Sequence, residues 1–106
     1  MEKAIWLAYD LGVRGDYEGL YGWLDAHHAK ECGDSVAFLH FSCDGPLPDA
    51  LARELQEAIT ISKNTRIYVM WQEDGEKLKG RFIIGRRKGA PWSGYADAEP
   101  AEVDEA

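Results

Sequence analysis

The sequence predicts a single α+β domain in which two helices cover a β-sheet. The chain has 106 residues, which suits one domain and leaves no room for a second core. Hydrophobic residues make up 45% of the chain, which is enough for a packed interior. Short apolar runs typical of strands alternate with two segments of helical periodicity. We therefore expect one folded domain over residues 1–95.

The first half of the chain predicts a strand, a helix and a second strand. Residues 4–9 (AIWLAY) form a continuous apolar run of strand length, and turn-favouring residues follow it. Asp16 suits the N-cap of a helix whose apolar residues recur at helical spacing as far as His28. Residues 35–41 (SVAFLHF) then predict a strand that is apolar on both faces.

The second half predicts a helix followed by two strands. Pro48 suits the first turn of a helix, and the apolar stripe that follows carries this helix to near Ser62. Residues 65–71 (TRIYVMW) are rich in β-branched and aromatic side chains, and a Glu-Asp-Gly turn leads from them to a last strand over residues 80–85. Residues 96–106 gain alanine and acid and lose periodicity, which predicts a disordered acidic tail.

The order of these elements predicts a ferredoxin-like two-layer sandwich with an added C-terminal hairpin strand. A short strand at residues 28–32 would complete the β-α-β-β-α-β order of that fold. Both helices would then pack on one face of the sheet and leave the other face bare. The first three predicted strands nevertheless offer apolar side chains to both faces. A second copy related by a two-fold axis would cover the bare face, so we expect a homodimer.

The formal net charge of −7 is distributed unevenly along the chain. Residues 1–76 sum to −8, residues 77–88 carry six cations and no acid, and residues 89–106 carry five acids. The basic segment predicts phosphate contacts with RNA or DNA, and the candidate side chains are Lys79, Arg81, Arg86, Arg87 and Lys88. Two alternatives stay open: the cations protect an edge strand from aggregation, or the acidic tail folds over them.

Several other classes of protein lack support in the sequence. No apolar run approaches the roughly 20 residues that span a bilayer, and the first residues do not have the pattern of a signal peptide. We therefore expect a cytoplasmic protein without a membrane partner. Cys32 and Cys43 show no pairing motif, so we expect ordinary thiols. The sequence has no nucleotide-binding glycine motif, nucleophile elbow or zinc-protease motif.

Four short segments follow one another in a distinctive order and spacing. They are Tyr9-Asp10-Leu11 at the end of the first strand, Gly15-Asp16-Tyr17 at the start of the first helix, Asp34-Ser35-Val36 before the next strand, and Arg66-Ile67-Tyr68-Val69 after the second helix. Together these segments resemble the Cas2 superfamily and, within it, the small SinR-like proteins. The resemblance covers roughly residues 3–72.

This resemblance implies a ferredoxin-like homodimer in which an aspartate at the end of the first strand lies near its symmetry mate and binds a divalent metal. The matching residue is Asp10, which would be the catalytic residue and the ligand of Mg²⁺ or Mn²⁺ in a metal-dependent endonuclease, a phosphodiesterase. Asp10 also has a simpler interpretation, because aspartate often accepts a hydrogen bond within a turn. The function stays open between a Cas2/SinR-like protein that binds or cleaves nucleic acid and a non-catalytic dimeric interaction module.

Overall fold

The computed structural model describes residues 1–75 and 77–97 and has an α+β fold. Its elements follow in the order β1 (Glu2–Asp10), α1 (Tyr17–Ala26), β2 (Lys30–Glu31), β3 (Val36–Ser42), α2 (Leu47–Ala58), β4 (Arg66–Gln72) and β5 (Leu78–Ile84). The five strands form one antiparallel sheet in the order β2-β3-β1-β4-β5. The predicted α+β class, with two helices and a C-terminal hairpin strand, is confirmed.

Helix α1 begins directly after Asp16, as the sequence predicts. One Asp16 oxygen, Oδ1, accepts a hydrogen bond from the Gly19 N–H at 2.9 Å, which is the usual hydrogen bond of an N-cap residue. The other, Oδ2, accepts one from the Thr60 N–H at 2.8 Å and so ties the start of α1 to the end of α2. The Thr60 and Gly19 donors hold the pKa of Asp16 below its usual range. The helix ends before its predicted limit at His28, which adopts a left-handed φ of 56°.

The buried core lies between the two helices and one face of the sheet. Alternate residues of the central strands point into it, and each helix adds one apolar stripe. Its largest fully buried side chains are Ile5, Leu7, Leu11, Leu20, Leu39, Phe41, Leu51, Leu55, Ile67 and Val69. Burying one such side chain stabilises a fold by about 1.5–3 kcal/mol, so this set holds the two layers together.

The opposite face of the sheet presents apolar side chains outside this core. Trp6 of β1 lies beside Phe38 of β3 and Met70 of β4 in the strand register. The ring centroids of Trp6 and Phe38 are 5.0 Å apart, and Trp6 is still 36% exposed. We call these three residues the apolar patch. Adjacent, partly exposed apolar side chains are unusual on the solvent face of an antiparallel sheet, where polar residues are the rule.

Two further predictions concern the C-terminus and membranes. Residues 91–97 form turns, and the rest of the predicted acidic tail, from residue 98 onward, lies outside the described residues. In the part of the chain that the structure describes, neither α1 nor α2 has the length and apolar character needed to cross a membrane.

Candidate nucleic-acid interface

Asp10 is the last residue of β1, and both oxygens of its side chain accept hydrogen bonds. Its Oδ1 accepts from the Gly12 N–H at 3.1 Å, which closes a turn in which Gly12 takes a φ of 78°. Its Oδ2 accepts from Nη2 of Arg66 at 2.9 Å, and Arg66 is its strand partner at the start of β4. The interpretation of Asp10 as a turn residue therefore agrees with its geometry.

The charge of Asp10 is stabilised by its neighbours. The Arg66 guanidinium, followed by the Gly12 N–H and the more distant charge of Lys88, holds the pKa of the Asp10 carboxyl below its usual range. The Asp10 side chain is 52% exposed and that of Arg66 is 26% exposed, so water screens the pair. Such a pair contributes on the order of 0–1 kcal/mol to stability, and its main effect is to fix the direction of the Arg66 side chain.

A metal centre at Asp10 would need further ligands. Among residues 1–75 and 77–97, no group of three or more His, Cys, Asp or Glu side chains could hold a metal ion. The Asp16 carboxylate is engaged as the α1 N-cap, and the main-chain oxygen of Asp34 accepts a hydrogen bond from the Tyr9 hydroxyl at 3.2 Å. The described side chains of one chain therefore do not bring a group of three such ligands to Asp10. Binding of Mg²⁺ or Mn²⁺ by Asp10 stays a prediction that requires a carboxylate from a second chain.

A bulge and a glycine direct the chain after β5 toward the start of β4. Ile67 pairs with Ile84, whereas the next β4 residue pairs with Phe82, so β5 has one extra residue at this point. Gly85 follows with a φ of 74° and lies so close to the Thr65–Arg66 backbone that a Cβ atom would clash with the Thr65 carbonyl oxygen. Residues 86–88 consequently run beside the beginning of β4.

Five cations from two chain segments meet at this end of the sheet. Lys63 and Arg66 come from the start of β4 and the turn before it, and Arg86, Arg87 and Lys88 come from the chain after β5. They line a surface depression of about 510 Å³. We call these five residues the basic cluster. Among the described residues, Arg66 is the one member that forms an ion pair, with Asp10.

Lys79 and Arg81 lie elsewhere. They pair with Trp71 and Val69, whose side chains are in the core, so both cations lie on the face of β5 that the helices cover. There they line a cleft beside the start of α2, and Lys79 Nζ is 3.9 Å from an oxygen of Glu73. The five cations predicted as one phosphate-binding set are thus divided, and three of them join the basic cluster.

Arg87 also contacts two aromatic rings on the face opposite the helices. Its guanidinium carbon lies 5.4 Å from the ring centroid of Phe82 and 5.9 Å from that of Tyr68. Tyr68 and Phe82 are partners across β4 and β5 and meet edge to face, with centroids 4.9 Å apart. The cations therefore lie next to flat apolar surfaces at this end of the sheet.

Lys63 and Arg66 are the members of this site that the sequence did not predict. They precede Arg86, Arg87 and Lys88 by 20 to 25 positions, and only the pairing of β4 with β5 brings them beside these three cations. Comparisons with protein-family models, with curated proteins and with solved structures find no match to this chain.

Proposed function

We propose that the chain is a Cas2/SinR-like homodimer with a ferredoxin-like fold, and that it binds RNA or DNA through the basic cluster. The fold is supported by the strand order β2-β3-β1-β4, in which each helix joins two strands that flank a third. The fifth strand, β5, is added beside β4. The convergence of five cations on one depression is the observation that carries nucleic-acid binding.

The electrostatics of the basic cluster favour a polyanionic ligand. Four of its cations have no carboxylate partner among the described residues, and they repel one another within one depression. A string of phosphates would relieve this repulsion and release counterions, which is the main source of sequence-independent affinity for nucleic acids. The chain as a whole carries a net charge of −7, so the local charge and not the total would attract the ligand.

Salt dependence of binding tests the role of the cluster. Binding of labelled RNA and DNA strands is measured by fluorescence anisotropy from low to moderate salt. The slope of log K against log salt then gives the number of phosphates that the protein neutralises. The double variant Arg86→Gln/Lys88→Gln should lower the slope of log K against log salt by about 1.4 for a single strand, at roughly 0.7 per contact.

The matched control is Lys79→Gln/Arg81→Gln, which removes the same charge from the other face of β5. This control should leave the slope nearly unchanged. Equal losses in both double variants would show that total charge governs binding, and the basic cluster would lose its assigned role.

Homodimerisation is supported by the apolar patch. Trp6, Phe38 and Met70 are in the middle of three adjacent strands, on the face that a two-fold partner would cover. We expect light scattering to give the mass of a dimer at micromolar concentration and Trp6→Glu to give a monomer. Val13→Glu, in a fully exposed loop position away from the patch, should remain dimeric. A monomeric wild-type protein would contradict the proposal.

Cleavage is a separate question from binding. The ion pair of Asp10 with Arg66 favours a protein that binds without cleaving, and it equally favours the alternative, a non-catalytic dimeric interaction module. Labelled RNA and DNA should therefore stay intact in the presence of Mg²⁺ or Mn²⁺. Cleavage that needs the metal and disappears in Asp10→Asn would instead identify an endonuclease. A dimer that binds neither nucleic acid at low salt would be an interaction module.

A further inference from the structure

Two depressions at this end of the sheet share the side chain of Arg66. The smaller, of about 250 Å³, opens on the face opposite the helices, and its apolar lining includes Val36, Tyr68 and Phe82. The larger is the depression of the basic cluster. Nη2 of Arg66 donates a hydrogen bond to Asp10 Oδ2, and this bond positions the guanidinium where the two depressions adjoin. An apolar hollow next to a cationic one matches a ligand that has a flat apolar part and an anionic part.

The aromatic rings of the smaller depression pack against each other and against the sheet. The Tyr68 side chain lies over the backbone of Gly80, where a Cβ atom would clash with its phenol ring, so glycine leaves room for the ring in this position. The edge of one ring meets the face of the other at an interplanar angle of 80°. The planar guanidinium of Arg87 already lies near both rings, which shows that a flat group has access to them.

We propose that the two depressions bind one unpaired nucleotide of a single strand. This inference rests on the proposed nucleic-acid binding and deepens it by naming the form of the ligand. It places the two-fold contact at the apolar patch, which lies two positions farther along β3 and β4, and leaves the end of the sheet at Asp10 open to the ligand. The base takes the place of the Arg87 guanidinium near Tyr68 and Phe82, and the neighbouring phosphates bind Arg86, Lys88 and the released Arg87. A base inside a duplex is stacked and paired on both sides, so it cannot enter the smaller depression without being unpaired first.

The test compares three labelled probes by anisotropy at one salt concentration. They are a single-stranded octanucleotide, the same strand with its bases removed to leave abasic sites, and a blunt duplex that contains the strand. We expect the strand with bases to bind about tenfold or more tightly than the abasic strand, because stacking of a base on an aromatic side chain is worth a factor of that order. The duplex should show no such gain.

Two variants separate stacking from charge. Tyr68→Leu should weaken binding of the strand with bases by about tenfold and leave its salt slope unchanged, because no phosphate contact is lost. Tyr95→Leu makes the same exchange at a side chain that is 77% exposed and outside both depressions, and it should bind like the wild type.

The results distinguish this inference from the proposed function. Equal binding of the base-containing and abasic strands, or a Tyr68→Leu variant with wild-type affinity, would overturn the base site and leave phosphate binding by the basic cluster standing. Equal or tighter binding of the duplex would also overturn it. Failure of all three probes to bind at low salt would refute the proposed nucleic-acid function itself.

Discussion

Replacement of Gly85 by alanine should damage the fold at the point where the basic cluster is assembled. An alanine at a φ of 74° costs about 1–2 kcal/mol in backbone strain. Alanine also lowers the conformational entropy of the unfolded chain, which offsets about 0.4–1 kcal/mol of this cost. The new Cβ atom would also clash with the Thr65 carbonyl oxygen and lie 3.1 Å from Arg66 Cα. Overpacking of this kind adds about 1–3 kcal/mol, so we expect a total loss of roughly 2–4 kcal/mol.

Gly45→Ala provides the matched control. Gly45 has a φ of 83°, and a Cβ atom there would meet no other atom within 4 Å, so this variant bears only the backbone strain. Urea unfolding followed by circular dichroism measures both losses. The two variants should differ by the overpacking cost of about 1–3 kcal/mol, so at about 4–8 °C per kcal/mol Gly85→Ala should also melt roughly 4–24 °C below Gly45→Ala. Equal stabilities would refute the close approach of residues 85 and 65, and with it the assembly of the cluster by that contact.

Three further predictions concern single side chains. The pKa of Asp10 is depressed in the folded state, so its contribution is fully present above the unfolded pKa of about 4 and is lost as the pH falls from there through the lower folded pKa. Asp10→Asn should therefore lower the free energy of unfolding slightly at pH 7 and by less at pH 2, whereas an equal loss at both pH values would contradict the ion pair. Asp16→Ala should lower the melting temperature, because two backbone N–H groups lose their acceptor; an unchanged melting curve would rule out the cap. Leu51→Ala, at a fully buried site, should cost about 2–5 kcal/mol by urea unfolding, while Leu78→Ala, 70% exposed, should cost far less.

The secondary structure was predictable because its signals are local. The apolar run at residues 4–9 matches β1, and the β-rich run at residues 65–71 matches β4, each to within one or two residues at both ends. Asp16 marks the start of α1 because its side chain accepts hydrogen bonds from nearby backbone N–H groups. The end of α1 was predicted less well. A left-handed φ at His28 depends on how the chain turns into β2, and a helical repeat contains no signal for it.

The candidate site was predicted only in part. Asp10 was predicted as a site residue from the resemblance to the Cas2 superfamily, but its partner Arg66 follows it by 56 positions and is brought to it by the pairing of β1 with β4. The basic segment looked continuous in the sequence. Alternation along β5 places Lys79 and Arg81 on the helix-covered face, and the bulge and Gly85 then carry the next cations away from it.

The sequence by itself determined the α+β class, the order of the elements, the N-cap of α1 and the presence of a concentrated positive charge. Each of these depends on residues within a few positions of one another, and short-range preferences of the backbone and of side-chain spacing suffice to predict them. The tertiary structure alone decided which cations share a depression, that Arg66 and not a second carboxylate of the chain faces Asp10, and that Tyr68 and Phe82 lie beside the cluster. Those outcomes depend on strand register and on one bulge, which arise from packing between distant segments.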